Sequence, residues 1–187
     1  MRNKNNKENL KRRLRMKYQI SYYGRQGCAE KTADYIFEKL PKDTLVIDAN
    51  EDVEVCAETI IAIFEMGSNF DTVPYKIIDI MERTKERELI LLPVVPVKIN
   101  EKLKNKIERA ALPFIPDECD YLGIHLVYGE ADKKLVHGIE KILEADSDNF
   151  GAEAWLEECD KSKGHPNMED LEKAWLFIEK CAEEVEY

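Results

Sequence analysis

The residues most able to do chemistry sit just behind short apolar runs. Gly24-Arg25-Gln26-Gly27 follows the run Lys17–Tyr22 and precedes a helical pattern that opens at Cys28-Ala29. Two glycines at a strand-to-helix turn let backbone N–H groups close around an anion, and the helix dipole favours negative charge there. The same residues also make a plain tight turn, and the two readings stand side by side. Cys28 falls at the helix start, where a thiolate is stabilised; it fits equally as an inert small residue. Phe64, Met66 and Phe70 surround Gly67-Ser68-Asn69, and hydrophobic residues at a strand end commonly pack into a core. A third segment, Pro93-Val94-Val95-Pro96-Val97, contains two residues with no N–H to donate.

Other chemistries find little footing. His125, His137 and His165 form no pair with metal-ligand spacing, so no metal site is expected. His125 reads as a packed strand residue, His137 as half-exposed on a helix, and His165 as part of a His-Pro turn that helps cap a helix. The five cysteines, 28, 56, 119, 159 and 181, include no Cys-x-x-Cys pair. Neither a disulfide framework nor structural zinc is expected, and a cytoplasmic setting is. No nucleophile elbow, triad or Walker loop is found, so no catalytic residue is assigned.

Charge narrows the partners. The 187 residues carry a net −10. Residues 1–17 hold eight basic side chains and one acid, a net +7, which leaves −17 on the rest. A body so acidic repels nucleic-acid phosphates, so nucleic-acid binding is not expected. No apolar run reaches the roughly 20 residues of a spanning helix. The organisation expected is a basic, disordered arm over 1–15 and a single domain over 16–187.

The elements that must position these residues follow from periodicity. Strands are expected at Lys17–Tyr22, Thr44–Asp48, Thr59–Phe64, Glu88–Val95 and Tyr121–Tyr128. Helices are expected after Gly27 up to Pro41, over Pro74–Arg83, after Asn100, and around Leu135–Leu143. A short helical piece is expected near Ala152–Cys159 within an otherwise loop-like 144–167. A last helix opens at Asn167, with Leu171, Trp175, Ile178, Ala182 and Val185 turned inward. Strands apolar on both faces and alternating with helices make a parallel α/β sandwich, whose ligands bind at the carboxyl ends of the strands.

Met16-Lys17-Tyr18-Gln19-Ile20-Ser21-Tyr22-Tyr23-Gly24-Arg25-Gln26-Gly27 resembles the opening of flavodoxins. Further motifs are Ile115-Pro116-Asp117 before Tyr121-Leu122-Gly123, Tyr128-Gly129-Glu130 at a helix start, and Ala-x-x-Trp-Leu-Glu over 152–157. The tail His165-Pro166, Glu169-Asp170-Leu171 and Ala174 completes the set. Together they resemble the flavodoxin-like family that includes the small protein accompanying bacterial bilirubin reductases. That resemblance implies a flavodoxin-like three-layer sandwich with a five-stranded parallel sheet of order 2-1-3-4-5. It implies bound FMN and service as a cytoplasmic, bacterial electron-transport flavoprotein to a partner reductase.

The resemblance also implies site residues. Gly24, Arg25, Gln26, Gly27, Cys28 and Ala29 would hold the FMN phosphate. Phe64, Met66, Gly67, Phe70, Val94 and Val95 would meet the ring. Flavodoxins usually place Thr/Ser-x-Thr-Gly-Asn-Thr in the first loop, whereas here Gln26 and Ala29 replace hydroxyls and Cys28 replaces asparagine. These departures, with the prolines of the third loop, motivate the alternative: a flavodoxin-like interaction module that has lost FMN binding.

Overall fold

The computed structural model describes residues 17–51 and 54–185, with side chains as far as Glu183. The segment 1–15, expected to be a disordered arm, lies outside them. Among the described residues six strands and six α-helices follow in order: β1 (Tyr18–Tyr23), α1 (Cys28–Lys39), β2 (Leu45–Asp48), β3 (Thr59–Glu65), α2 (Tyr75–Met81) and β4 (Glu88–Val95). Then come α3 (Glu101–Ala111), β5 (Asp120–Ile124), β6 (Val127–Tyr128), α4 (Lys133–Ala145), α5 (Phe150–Lys161) and α6 (Met168–Val185).

All strand pairs are parallel, and the order is β2-β1-β3-β4-β5, with β6 continuing alongside β4. This is the order and layering expected of a flavodoxin-like sandwich. The twofold period of a strand builds both layers. Ile60, Ala62 and Phe64 of β3 pack toward α2 and α3, while Ile61 and Ile63 pack toward α1 and α6. All five are fully buried, and each large side chain so buried contributes about 1.5–3 kcal/mol.

Two expectations are corrected. The fifth strand does not run unbroken from Tyr121 to Tyr128; it stops at Ile124 and resumes at Val127. The reason lies in β4. His125 N–H donates to the Leu91 carbonyl at 3.0 Å and Gly129 N–H to the Val95 carbonyl at 3.0 Å. Alternate residues of β4 therefore turn their polar groups to this side, and Pro93, midway between, has no N–H to offer. The ladder breaks opposite that missing donor. The segment 144–167 is also more helical than expected: α4 runs to Ala145, and α5 spans 12 residues rather than a short piece.

The α4–α5 hairpin has its own small core of Ala131, Ile139, Ala152 and Cys159. Trp155 of α5 stacks on Phe70, with ring centroids 5.8 Å apart. In α6 the buried stripe is Leu171, Ala174, Ile178 and Cys181; Trp175 and Ala182, expected inward, are only half-buried. Val185 lies beyond the described side chains. Among the described residues, no helix is long and apolar enough to cross a membrane.

The start of α6 follows the expected capping logic. Asn167 Oδ1 accepts from the N–H groups of Glu169 (2.9 Å) and Asp170 (3.2 Å), and Asp170 Oδ2 accepts from Asn167 N–H (2.8 Å). His165 Nδ1 lies 2.6 Å from the same Asp170 oxygen, which places it in the cap. Asn167→Ala removes two acceptor bonds and should lower unfolding free energy by about 0.5–2 kcal/mol. Urea denaturation checks this; an unchanged midpoint would show that Asp170 and His165 hold the turn unaided.

Candidate ligand site at the carboxyl ends of the strands

Strand order reverses at β1: the chain goes from β1 outward to β2, then back to β3 on the other side. The carboxyl ends of β1 and β3 therefore open a crevice between their following loops. A cavity of about 760 Å³ lies there, within the size range of small-molecule sites. Tyr23, Met66, Val73, Ile78, Val94 and Val95 supply apolar wall, and Tyr75, 70% exposed, stands at the edge.

At its deep end, the N–H groups of the first loop converge on one side chain. Glu65, the last residue of β3, extends its carboxylate into the turn between β1 and α1. Oε2 accepts from Arg25 N–H (2.6 Å) and Gln26 N–H (3.1 Å). Oε1 accepts from Cys28 N–H (3.1 Å), Ala29 N–H (3.4 Å) and, more weakly, Gln26 (3.3 Å). A carboxylate at the start of a 12-residue helix is favoured by the dipole. Hydrogen bonds to a charged acceptor contribute about 1.5–3 kcal/mol each.

Register explains the reach. Tyr23 pairs with Phe64, so Glu65 lies level with Gly24. Alternation along β3 turns Glu65 to the same side as Ile61 and Ile63, the side of α1. The two glycines have separate tasks. A Cβ on Gly24 would lie 2.5 Å from Glu65 Oε1, so Gly24 permits the close approach. Gly27 has φ +83° with open space around it; it is the left-handed residue that caps α1. The close approach of Glu65 to the turn therefore falls at Gly24.

The structure brings some of the expected site residues together and withdraws others. Gly24, Arg25, Gln26, Met66, Gly67, Val94 and Val95 line the cavity, as do Glu65, Pro74, Tyr75, Pro96, Glu130, Asp132, Lys134 and Leu135, which sequence reasoning missed. Cys28 and Ala29 reach the site only through backbone N–H groups, their side chains being buried in the α1 face of the core. Phe64 is fully buried and Phe70 stacks on Trp155, so both are core residues rather than cavity wall. Thr32 does not replace the missing loop hydroxyls; its Oγ1 donates back to the Cys28 carbonyl at 2.8 Å. His125 stacks on Phe177, and burial depresses its pKa below the ordinary histidine value. His137, expected half-exposed, is exposed.

A parallel sheet of order 2-1-3-4-5, with its crevice at the β1–β3 switch, defines a flavodoxin-like protein. Residues 19–179 match the flavodoxin domain family, and the chain belongs to it. No curated protein matches the sequence. Among solved structures, it is similar to a candidate flavoprotein from Bacteroides uniformis ATCC 8492, at 13% identity and TM-score 0.43, covering 67% of this chain and 98% of that one. It is also similar to a short-chain flavodoxin associated with a non-canonical PDU bacterial microcompartment, at 11% identity and TM-score 0.43, covering 59% and 82%.

The family suggests a flavin, and the two halves of the site answer differently. The apolar wall of Tyr23, Met66, Val73, Val94 and Val95 suits an aromatic ring in its chemistry. The phosphate end does not fit: Glu65 already holds the loop N–H groups, and Gln26 and Ala29 offer no hydroxyl. The charged lining consists of three carboxylates, Glu65, Glu130 and Asp132, against Arg25 and Lys134.

Cys28 is no activated thiol. Its Sγ faces the carbonyls of Glu130 (3.9 Å) and His165 (3.7 Å). Burial first, with the charges of Glu65 and Glu130 adding, raises its pKa above the ordinary thiol value. Less thiolate is therefore present at any given pH. With iodoacetamide at neutral pH, peptide mapping should show half-exposed Cys56 labelled well before Cys28, with Cys28 reacting fully only in denaturant. Equal rates in the native protein would contradict the assignment.

Proposed function

We propose that this chain is a flavodoxin-type electron-transfer protein that holds a flavin ring non-covalently and serves a partner reductase. The observation that carries this reading is the apolar-walled cavity at the β1–β3 switch point of a flavodoxin-family chain. A bound flavin supplies the redox chemistry. The chain's part is to seat the ring against Met66, Val94 and Val95 and to leave one edge toward Tyr75 for the partner. The acidic body favours a reductase with a basic docking face, because opposite charge speeds a short-lived encounter.

One observation favours a second reading. Glu65 occupies the N–H groups on which a flavin phosphate would depend, as in a flavodoxin-like interaction module that has lost FMN.

Titration with riboflavin and with FMN separates the two. Quenching of flavin fluorescence and shifted visible bands are expected for at least one of them; silence with both would establish the interaction module. With flavin bound, stopped-flow reduction by a reductase should slow steeply as salt rises, since exposed charges are screened within about 8 Å at physiological ionic strength. A salt-independent rate would sink the charged docking face.

A further inference from the structure

We propose that Glu65 is the built-in occupant of the anion cradle, and that it makes the site select a flavin without a terminal phosphate, of the riboflavin type, over FMN. For its ligand, this inference rests on the flavin reading above.

Three observations converge. First, the donors are used. The N–H groups of Arg25, Gln26, Cys28 and Ala29 all point at the Glu65 oxygens, within 2.6–3.4 Å. A carboxylate offers about four lone-pair positions, and these bonds fill them. Those four N–H groups are no longer open to a phosphate, and Glu65 has little left for any ligand. Second, the approach is built. Gly24 leaves room for the carboxylate where any Cβ would overlap it, and strand alternation aims Glu65 at the start of α1. Third, the charge is wrong for a phosphate. A phosphate monoester carries about −1.5 to −2 near neutral pH and would enter beside Glu65, Glu130 and Asp132, with only Arg25 and Lys134 to offset them. A ligand with an uncharged end uses the apolar walls and leaves the Glu65 bonds intact. A phosphorylated one must first expel the carboxylate.

The test uses the full chain with Glu65→Gln and Glu65→Ala, each shown to be folded by circular dichroism. Fluorescence titration of wild type should give tighter binding of riboflavin than of FMN by about tenfold or more, the scale set by losing a charge-assisted cradle. In Glu65→Ala the preference should reverse, through tighter FMN binding and little change for riboflavin. Glu65→Gln, which keeps the shape and removes the charge, should fall between. An FMN-to-riboflavin ratio that is the same in all three proteins would overturn the proposal.

A second arm needs no flavin. Inorganic phosphate should shift the amide NMR signals of residues 25–29 in Glu65→Ala and leave them unmoved in wild type. Equal shifts in both proteins, or none in Glu65→Ala, would overturn the occupancy of the cradle. If neither flavin binds any of the three proteins, the flavin reading and the selectivity fail together, while the phosphate arm still decides whether Glu65 fills the cradle.

Discussion

The backbone N–H groups of Arg25 and Gln26 just before α1, and of Cys28 and Ala29 in its first turn, have no acceptor within the helix, and all four turn to Glu65. That obligation shapes the carboxyl end of the sheet. A buried or half-buried donor must find an acceptor, and β3 delivers one by extending one residue beyond its apolar run. The acceptor is ionic, the donors are at the positive end of a helix, and the contact spans 36 to 40 residues of sequence. It therefore ties β1, α1 and β3 together at the point where strand order reverses.

The rest of the sheet makes that tie possible. Parallel pairing of β1 with β3 over six residues fixes how far Glu65 reaches. On the α1 side of β3 only Ile61 and Ile63 stand between Glu65 and Thr59, whose hydroxyl donates to Glu88 at the far end of the strand, so no other polar side chain reaches the turn. On the far flank, Pro93 interrupts the ladder and lets the chain bend between β5 and β6 before α4 rises beside the cavity. Glu130, Asp132, Lys134 and Leu135 reach the site by that route. The pocket thus has a rigid floor from β1, β3 and β4 and a wall carried by the α4–α5 hairpin.

Most of the architecture was legible in the sequence, because apolar runs such as Thr59–Phe64 and Glu88–Val95 carry their own evidence. Asn100 and Asn167 marked helix starts through chemistry local to a few residues; Asn100 accepts from Leu103 N–H at 2.9 Å. The break at 125–126 was not legible, because its cause is a missing donor on a neighbouring strand. Phe64 and Phe70 were open to two readings, core residue and ligand wall, and only their packing partners, Trp155 among them, decide for the core. Glu65 was the informative omission. A charged residue after the apolar run Ile60–Phe64, on the face that alternation assigns to α1, pointed at the cradle, but only once β1 and β3 were recognised as neighbours.

The small core of the α4–α5 hairpin has a thermodynamic consequence. A small cluster of four buried residues with partly buried Leu135, Val136, Leu143, Trp155 and Leu156 around it, and the stack of Trp155 on Phe70, hold this pair of helices, whereas the central strands are covered on both faces. Units with few buried apolar contacts open at lower free energy than the global transition. In hydrogen exchange, amides of α4 and α5 would lose protection as a group before those of β3 and β4.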